Sequence, residues 1–586
     1  MLPTRLLLVT ALLSIAASAS RVQAGGGPEN VLVVINQNSE SSKTIANYYI
    51  RKRNIPANCV LYLNWKGGQG NTPAGRFRDQ ILKPIIETIE QRHLAGQIEY
   101  VVYSSAFPYS VDFREEFKDE KLPKQFRPIA SLTGATYLWV YALTKNPAMC
   151  MPTVNWYVTP EARKNQTSCV NCKEVVTNGF RAQQYWTKKG EQSSEAKNGQ
   201  TYFLSTMLGV TAQGGNTVDE VVSYLSRSSV VDAAHPAGTF YFVKNGDVRS
   251  KTRDKCYQQV CDQLKAEGAE AVVLNGTGPP ATSGAIGIML GTARFSIDAS
   301  ETSLVPGAIC DHFTSFGGRF SQSGQTTLAT WLRAGAAGSS GTVTEPYAIQ
   351  AKFPLPSMHL HYWRGTSLGE AFYQSVSGPY QLLVVGDPLC QPFARPPKVE
   401  LEGIKPGQQL SGVVEIKPKV TPQPGTEAGM AELYLDGRLL ARYPHQISAP
   451  LKTAGIAPGH HELRLVVSTD DSIGYRGRTI VPVVVQHPDA PVEEVTIKVE
   501  PTPAVPAEQP VRVTVSGPEE AKGIEILQNQ RRVGFVSGSS GSVEIDSKLL
   551  GRGPVGLTAQ LVDAKKTTSD NVEAGTRSKT CWVLIQ

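Results

Sequence analysis

Long apolar runs are scarce in this chain of 586 residues. Beyond residue 24 no segment approaches the roughly 20 apolar residues that a helix needs to cross a bilayer. No transmembrane segment is therefore expected in the processed chain. Charge of one sign is scarce too: 58 Lys and Arg against 51 Asp and Glu leave +7, spread without a basic stripe. Phosphate backbones are held by concentrated positive charge, so no nucleic-acid partner is expected. A charged fraction of 19% beside 41% hydrophobic residues excludes a disordered or coiled-coil protein and leaves apolar side chains for several cores.

Cysteine is sparse and odd in number. The nine residues Cys59, Cys150, Cys169, Cys172, Cys256, Cys261, Cys310, Cys390 and Cys581 leave at least one thiol unpaired. Cys150, Cys169 and Cys172 cluster in a loop-rich stretch, and the nearest further zinc ligands are Cys256 and Cys261. Cys256 and Cys261 also fall on one helix face, as small core residues would. Disulfides are the favoured use in an exported chain, with no metal and no cofactor expected. Cys169-Val170-Asn171-Cys172 lacks the following His that covalent haem requires.

Export is read from the first residues. Arg5, an apolar run over 6–17 and Val22-Gln23-Ala24 make a secretory signal peptide with cleavage after Ala24. The expected location is secreted or periplasmic. Residues 31–35 then form a continuous apolar run, as a central parallel strand covered on both faces would. Ile45, Tyr48 and Tyr49 follow at helical spacing, ahead of Arg51-Lys52-Arg53, cations suited to a helix C-terminus. Further strands are expected at 60–63, 98–103, 239–243, 271–274, 305–309, 341–343 and 382–385. A helix is expected over 77–94, interrupted or restarted at Pro84, and another is opened by the capping box of Thr217 and Glu220.

This alternation argues for an α/β domain with a mostly parallel sheet and flanking helices. At Arg395-Pro396-Pro397 helical periodicity stops and period-two segments take over, with a hairpin turn at Asp436-Gly437. The expected organisation is a signal peptide (1–24), an α/β domain (25–394) with a cysteine-containing insertion (146–199), and two all-β Ig-like sandwiches (395–487 and 493–586).

In a parallel sheet the strand C-termini share one edge, where ligands bind. Residues placed there are Asn36 and Asn38, Ser104 and Ser105, Asn275 and Thr277, Cys310 with Asp311 and His312, Glu345, and Asp387. Polar strand-to-helix turns occur in any such fold. Cys310 is read as closing its strand, with His312 two residues on and facing the same side; a thiol beside a base is what acyl transfer needs. A disulfide or core role for Cys310 is the competing reading. Met358-His359-Leu360-His361 is read as a strand with two imidazoles on one face, short of a metal site without a third ligand.

Residues 306–318 (PGAICDHFTSFGG), residues 332–346 (LRAGAAGSSGTVTEP), Gly386-Asp387-Pro388 and the opening segment with Ser42, Tyr48, Arg53 and Pro56 resemble a family of uncharacterised exported bacterial proteins. That family is distantly similar to gingipain-type cysteine peptidases. The resemblance implies a caspase-like fold over about residues 30–392, in the order strand, Gly-His-Gly, strand, Cys, helix, Gly-rich strand, Gly-Asp-Pro. Gly276-Thr277-Gly278 stands in place of Gly-His-Gly, so the catalytic imidazole is replaced by threonine. The nucleophile position falls on Cys310 or, shifted by five, Ser315. The function implied is a module lacking the catalytic His that binds a peptide, glycan or envelope protein. The alternative is an active cysteine peptidase or related hydrolase using Cys310.

Overall fold

The computed structural model describes residues 26–195, 199–321, 324–487, 494–501, 504–562 and 575–586. The expected signal peptide lies outside them. Ten strands form the main sheet: β1 (Val31–Asn36), β2 (Val60–Leu63), β3 (Tyr100–Tyr103), β4 (Leu204–Met207), β5 (Thr239–Lys244), β6 (Glu270–Asn275), β7 (Thr282–Gly291), β8 (Thr302–Phe313), β9 (Gly338–Thr342) and β10 (Leu382–Gly386). Their spatial order is β6-β5-β7-β8-β9-β10-β4-β3-β1-β2. Every residue of β1 is buried, as its unbroken apolar run requires when helices cover both faces.

Helices α1 (Glu40–Arg53), α2 (Val218–Ser228), α3 (Tyr257–Ala266), α4 (Ala329–Arg333) and α5 (Ser357–Trp363) position the residues discussed below. Ser39 caps α1 by accepting the Ser42 N–H, and Asn54 closes it at φ 52°. Thr217 and Glu220 make the reciprocal capping box of α2. Around Pro84 the helix winds continuously over 74–91. It takes a wider π turn at Arg78–Leu82, which ends two residues before Pro84, the residue that cannot donate.

One pairing changes the reading of the sheet. All neighbouring strands run parallel except β9 and β10, which are antiparallel with Gly338 opposite Gly386 and Thr342 opposite Leu382. The carboxyl ends of β1, β2, β3, β4 and β10 therefore point to one edge, and those of β5, β6, β7, β8 and β9 to the other. The expectation of a single shared edge is corrected: the sheet is two parallel halves set head to tail. Where β10 meets β4 the ladder shrinks to one pair, Val385 with Met207. The Ser131 and Thr133 hydroxyls fill that gap by donating to the Leu382 carbonyl, and Thr133 also receives the Val384 N–H.

Two further expectations are corrected. His359 and His361 lie on helix α5, not on a strand, so a spacing of two sends them to different sides. His359 packs against Phe240 and Phe242, while His361 meets Thr177 and stands 4.0 Å from Glu161. Cys256 precedes α3 and forms a disulfide with Cys169, whereas Cys261 is a buried free thiol on that helix.

Two β-domains follow, each pairing a three-stranded with a five-stranded sheet in the same internal order. The Asp436-Gly437 turn has φ 50° and 82°, the left-handed pair that a tight hairpin demands. The first β-domain is fixed to the α/β unit by buried arginines. Arg464 Nη1 pairs with Glu29 at 3.0 Å, and Arg476 Nη2 with Glu99 at 3.3 Å. The second leans on α1, where Asn47 Nδ2 donates to the Leu550 and Arg552 carbonyls. Among the described residues no helix is long and apolar enough to cross a membrane.

Candidate functional site

Strand β8 carries Cys310, Asp311 and His312. It continues to Phe313, so Cys310 does not close the strand but sits inside it, fully buried against Ile288, Trp331 and Ala336. Burial pushes its thiol well above the ordinary range, which suppresses the thiolate that nucleophilic attack requires. Asp311, on the opposite face, is held by Arg253 Nη1 at 2.7 Å and by the Ser340 hydroxyl. The Arg253 guanidinium lies over the Phe313 ring, 5.1 Å from its centroid. This is a desolvated ion pair inside the domain, closed to solvent on both partners.

His312 is fully occupied. The Trp331 indole N–H donates to Nδ1 at 3.0 Å, which obliges Nε2 to carry the proton and donate to the Thr326 carbonyl at 2.9 Å. Burial lowers the ring's pKa, so it stays neutral with no free lone pair. His312 shares a face with Cys310, as its spacing implied, but its bonds run to α4 and to the loop before it.

The edge where β5 to β9 end is where polar groups gather. Asn245 Nδ2 donates to the Gly276 and Gly291 carbonyls, both at 3.1 Å, tying the ends of β5, β6 and β7 together. Beyond β8, Gln325 Oε1 receives the Thr314 hydroxyl and the N–H groups of Ser315 (3.0 Å) and Phe316 (3.2 Å). The Ser315 hydroxyl donates to Glu345 Oε1 at 3.3 Å, and the Tyr347 N–H reaches the same oxygen at 2.9 Å. Tyr347 takes φ 61° to do so. Two converging backbone N–H groups capped by one amide oxygen have the form of an oxyanion-type cradle with a side chain seated in it.

Of the sequence-chosen residues, the structure brings Ser315 and Glu345 into contact and leaves Asn275 and Thr277 exposed on the outer strand of the same edge. Because β5 and β7 lie between β6 and β8, Thr277 is not beside Cys310 or Ser315. The residue leaving the adjacent strand β7 is Thr292, also without an imidazole. Gln325, Trp331 and Arg253 were missed; Trp331 and Arg253 act through partners 19 and 58 residues away, and Gln325 through a loop that folds back on residues 314–316.

Asn36, Asn38, Ser104, Ser105 and Asp387 belong to the opposite edge. The Asn36 N–H donates to Ser42 Oγ at 2.9 Å and its Nδ2 to the Ala106 carbonyl at 2.9 Å. Asn38 donates to Asn64 at 2.7 Å, and the Ser104 hydroxyl to the Ser42 carbonyl at 2.6 Å. Ser105 Oγ is buried without a partner among the described residues. Asp387 is fully buried and takes Arg53 Nε at 3.0 Å, Ser228 Oγ at 2.8 Å and Tyr49 OH at 3.2 Å. Arg53 also pairs with Asp232. These bonds lock α1, α2 and the end of β10 together.

No protein-family model matches the chain, and no curated protein matches it. Among solved structures, the complex of the RgpB pro- and mature domains from Porphyromonas gingivalis is similar at 10% identity, over 78% of this chain and 100% of that one, with a TM-score of 0.38. Dimeric latent PorU from the same organism is similar at 14% identity, over 32% of this chain and 20% of its own, with a TM-score of 0.13. The fibronectin(III)-like modules of CbhA from Clostridium thermocellum are similar at 15% identity, over 32% of this chain and 92% of theirs, with a TM-score of 0.14. The likeness to gingipain-related structures is a distant one.

Proposed function

We propose that the chain is an exported binding or envelope-associated protein, secreted or periplasmic, with a gingipain-like, caspase-like domain that lacks the peptidase histidine. Its ligand is a peptide, a glycan or an envelope protein, received at the edge formed by Ser315, Glu345 and Gln325, and the Ig-like domains act as spacers. The observation that carries this reading is the commitment of His312: donor at Nε2, acceptor at Nδ1, and nothing left for a thiol. A cysteine hydrolase needs a thiolate and a base beside it, and a fully buried Cys310 with a raised pKa argues against that role. Gln325 Oε1 marks the place where a ligand carbonyl would be received by the Ser315 and Phe316 N–H groups.

Iodoacetamide at neutral pH tests the chemistry. The native protein should leave Cys310 unmodified until it is unfolded, as read by peptide mapping; rapid native alkylation of Cys310 would return the peptidase reading. Hydrogen exchange with peptide and glycan panels tests the site. Protection at 314–316 and 345–347 by one class names the ligand, and absence of protection by either removes this edge as the binding surface.

A further inference from the structure

Three cysteine sulfurs meet where the insertion touches the start of α3. The Sγ atoms of Cys169, Cys172 and Cys256 all lie within 4.8 Å of one another, and all three residues are fully buried. The disulfide uses Cys169 and Cys256. Cys172 is left as a free thiol, its Sγ 3.7 Å from that of Cys169. Burial pushes this thiol up, and the charge of Glu161 adds to the rise.

Hydrogen bonds hold this triangle independently of the sulfur–sulfur bond. The Cys169 N–H donates to the Thr252 carbonyl at 2.8 Å, and the Cys172 N–H to Gln259 Oε1 at 2.6 Å. Asn165 Oδ1 receives the Val170 N–H at 2.7 Å and the Asn171 N–H at 3.3 Å, which fixes the turn between the two cysteines. A Cys-x2-Cys turn set against a further thiol is the donor pattern of thiolate metal sites. Zinc–sulfur bonds of about 2.3 Å place tetrahedral corners about 3.8 Å apart, and the separation of Cys169 and Cys172 already matches. Val170, Asn171 and Lys173 are exposed, so the triangle lies close beneath the surface, where water can take a fourth corner.

We propose that Cys169, Cys172 and Cys256 bind one zinc-type dication when the disulfide is reduced, so that disulfide and metal are alternative staples between the insertion and α3. An external dithiol supplies the two electrons: it closes to its own disulfide, and Cys169 and Cys256 become thiols. The three thiols then release three protons to solvent as three metal–sulfur bonds form. The cation removes the penalty that burial sets on the Cys172 thiolate. Binding at this triangle is independent of the reading given to the Ser315 edge.

The test uses the full chain reduced by a phosphine, which competes less for metal than a dithiol, and titrated with Cd2+ as a spectroscopic stand-in for Zn2+. The thiolate-to-cadmium charge-transfer band should saturate at one ion per chain with the intensity of three sulfurs. The chain with its disulfide intact should show no such band at the same metal concentration. Cys172→Ser keeps the disulfide pair and, once reduced, should bind at least about 100-fold more weakly, since loss of an outer-shell partner already costs about 10–100-fold. Absence of the band in the reduced chain overturns the site, as does an unchanged affinity in Cys172→Ser. An equal band with the disulfide intact overturns it too, by placing the ion on other thiols. If reduction unfolds the chain, Zn2+ should restore most of the lost melting temperature in the parent protein and not in Cys172→Ser; no recovery, or equal recovery in both, overturns the proposal.

Discussion

Replacing Asp387 distinguishes a binding residue from a structural one. Its carboxylate is fully buried and receives Arg53 through Nε and Nη2, the Ser228 and Tyr49 hydroxyls, and the Leu389 N–H at 3.2 Å. Asp387→Ala leaves Arg53 in the core with Asp232, whose side chain is 31% exposed. Breaking a buried pair by removing one partner costs about 3–5 kcal/mol. Asp387→Asn keeps the shape and some of the bonds and loses the charge, a loss of about 1.5–3 kcal/mol. With a urea slope of about 2–3 kcal/mol/M, the alanine variant should unfold roughly 1–2.5 M earlier. Tryptophan fluorescence is the assay, because Trp65, Trp139, Trp156, Trp186, Trp331 and Trp363 precede the β-domains and only Trp582 lies in them. The α/β transition is thereby followed apart from the others. An alanine variant within about 1 kcal/mol of the parent protein would refute the reasoning and return Asp387 to the list of ligand-facing residues.

Burial pushes Glu161 up to about 7, above its unfolded value, so its share of stability is complete below about pH 4.5 and is lost as pH rises through 7. Glu161→Gln should remove up to about 3 kcal/mol of that pH dependence; urea melts at pH 5 and 7.5 that keep the parent slope would refute this. The Cys169–Cys256 disulfide spans 87 residues of sequence, and a loop of that length implies about 4–5 kcal/mol by chain entropy. Cys256→Ser should lower thermal stability accordingly, and an unchanged melt would show that the link does not restrain the unfolded chain. Gln325→Ala should expose the Ser315 and Phe316 amides to fast hydrogen exchange and cost about 1–3 kcal/mol. Unchanged exchange there would mean that another group holds the loop.

The alternation of apolar runs and amphipathic stretches was legible, and so were the caps at Ser39 and Thr217 and the turn at Asp436-Gly437, because each is dictated by near neighbours along the chain. The large mostly parallel sheet and the strand-rich C-terminal part follow from the same periodicities. The histidine pair was misread, since four residues of Met-His-Leu-His satisfy either period and Pro356 opens a helix there. Position after a strand picked out Glu345 and the family resemblance picked out Ser315, but neither placed the two against each other.

The direction of β9 relative to β10 was decided by packing alone, and with it the division of the expected site between two edges. Nothing local encodes strand direction, because a buried apolar strand reads the same either way. The same holds for His312: the chain supplies an imidazole, while Trp331 and Thr326, brought to it by α4 and the preceding loop, fix its proton and remove it from chemistry. Hydrogen-bond donors and acceptors distant in sequence meet only once the fold is complete, and there they determine which polar residues remain free to act.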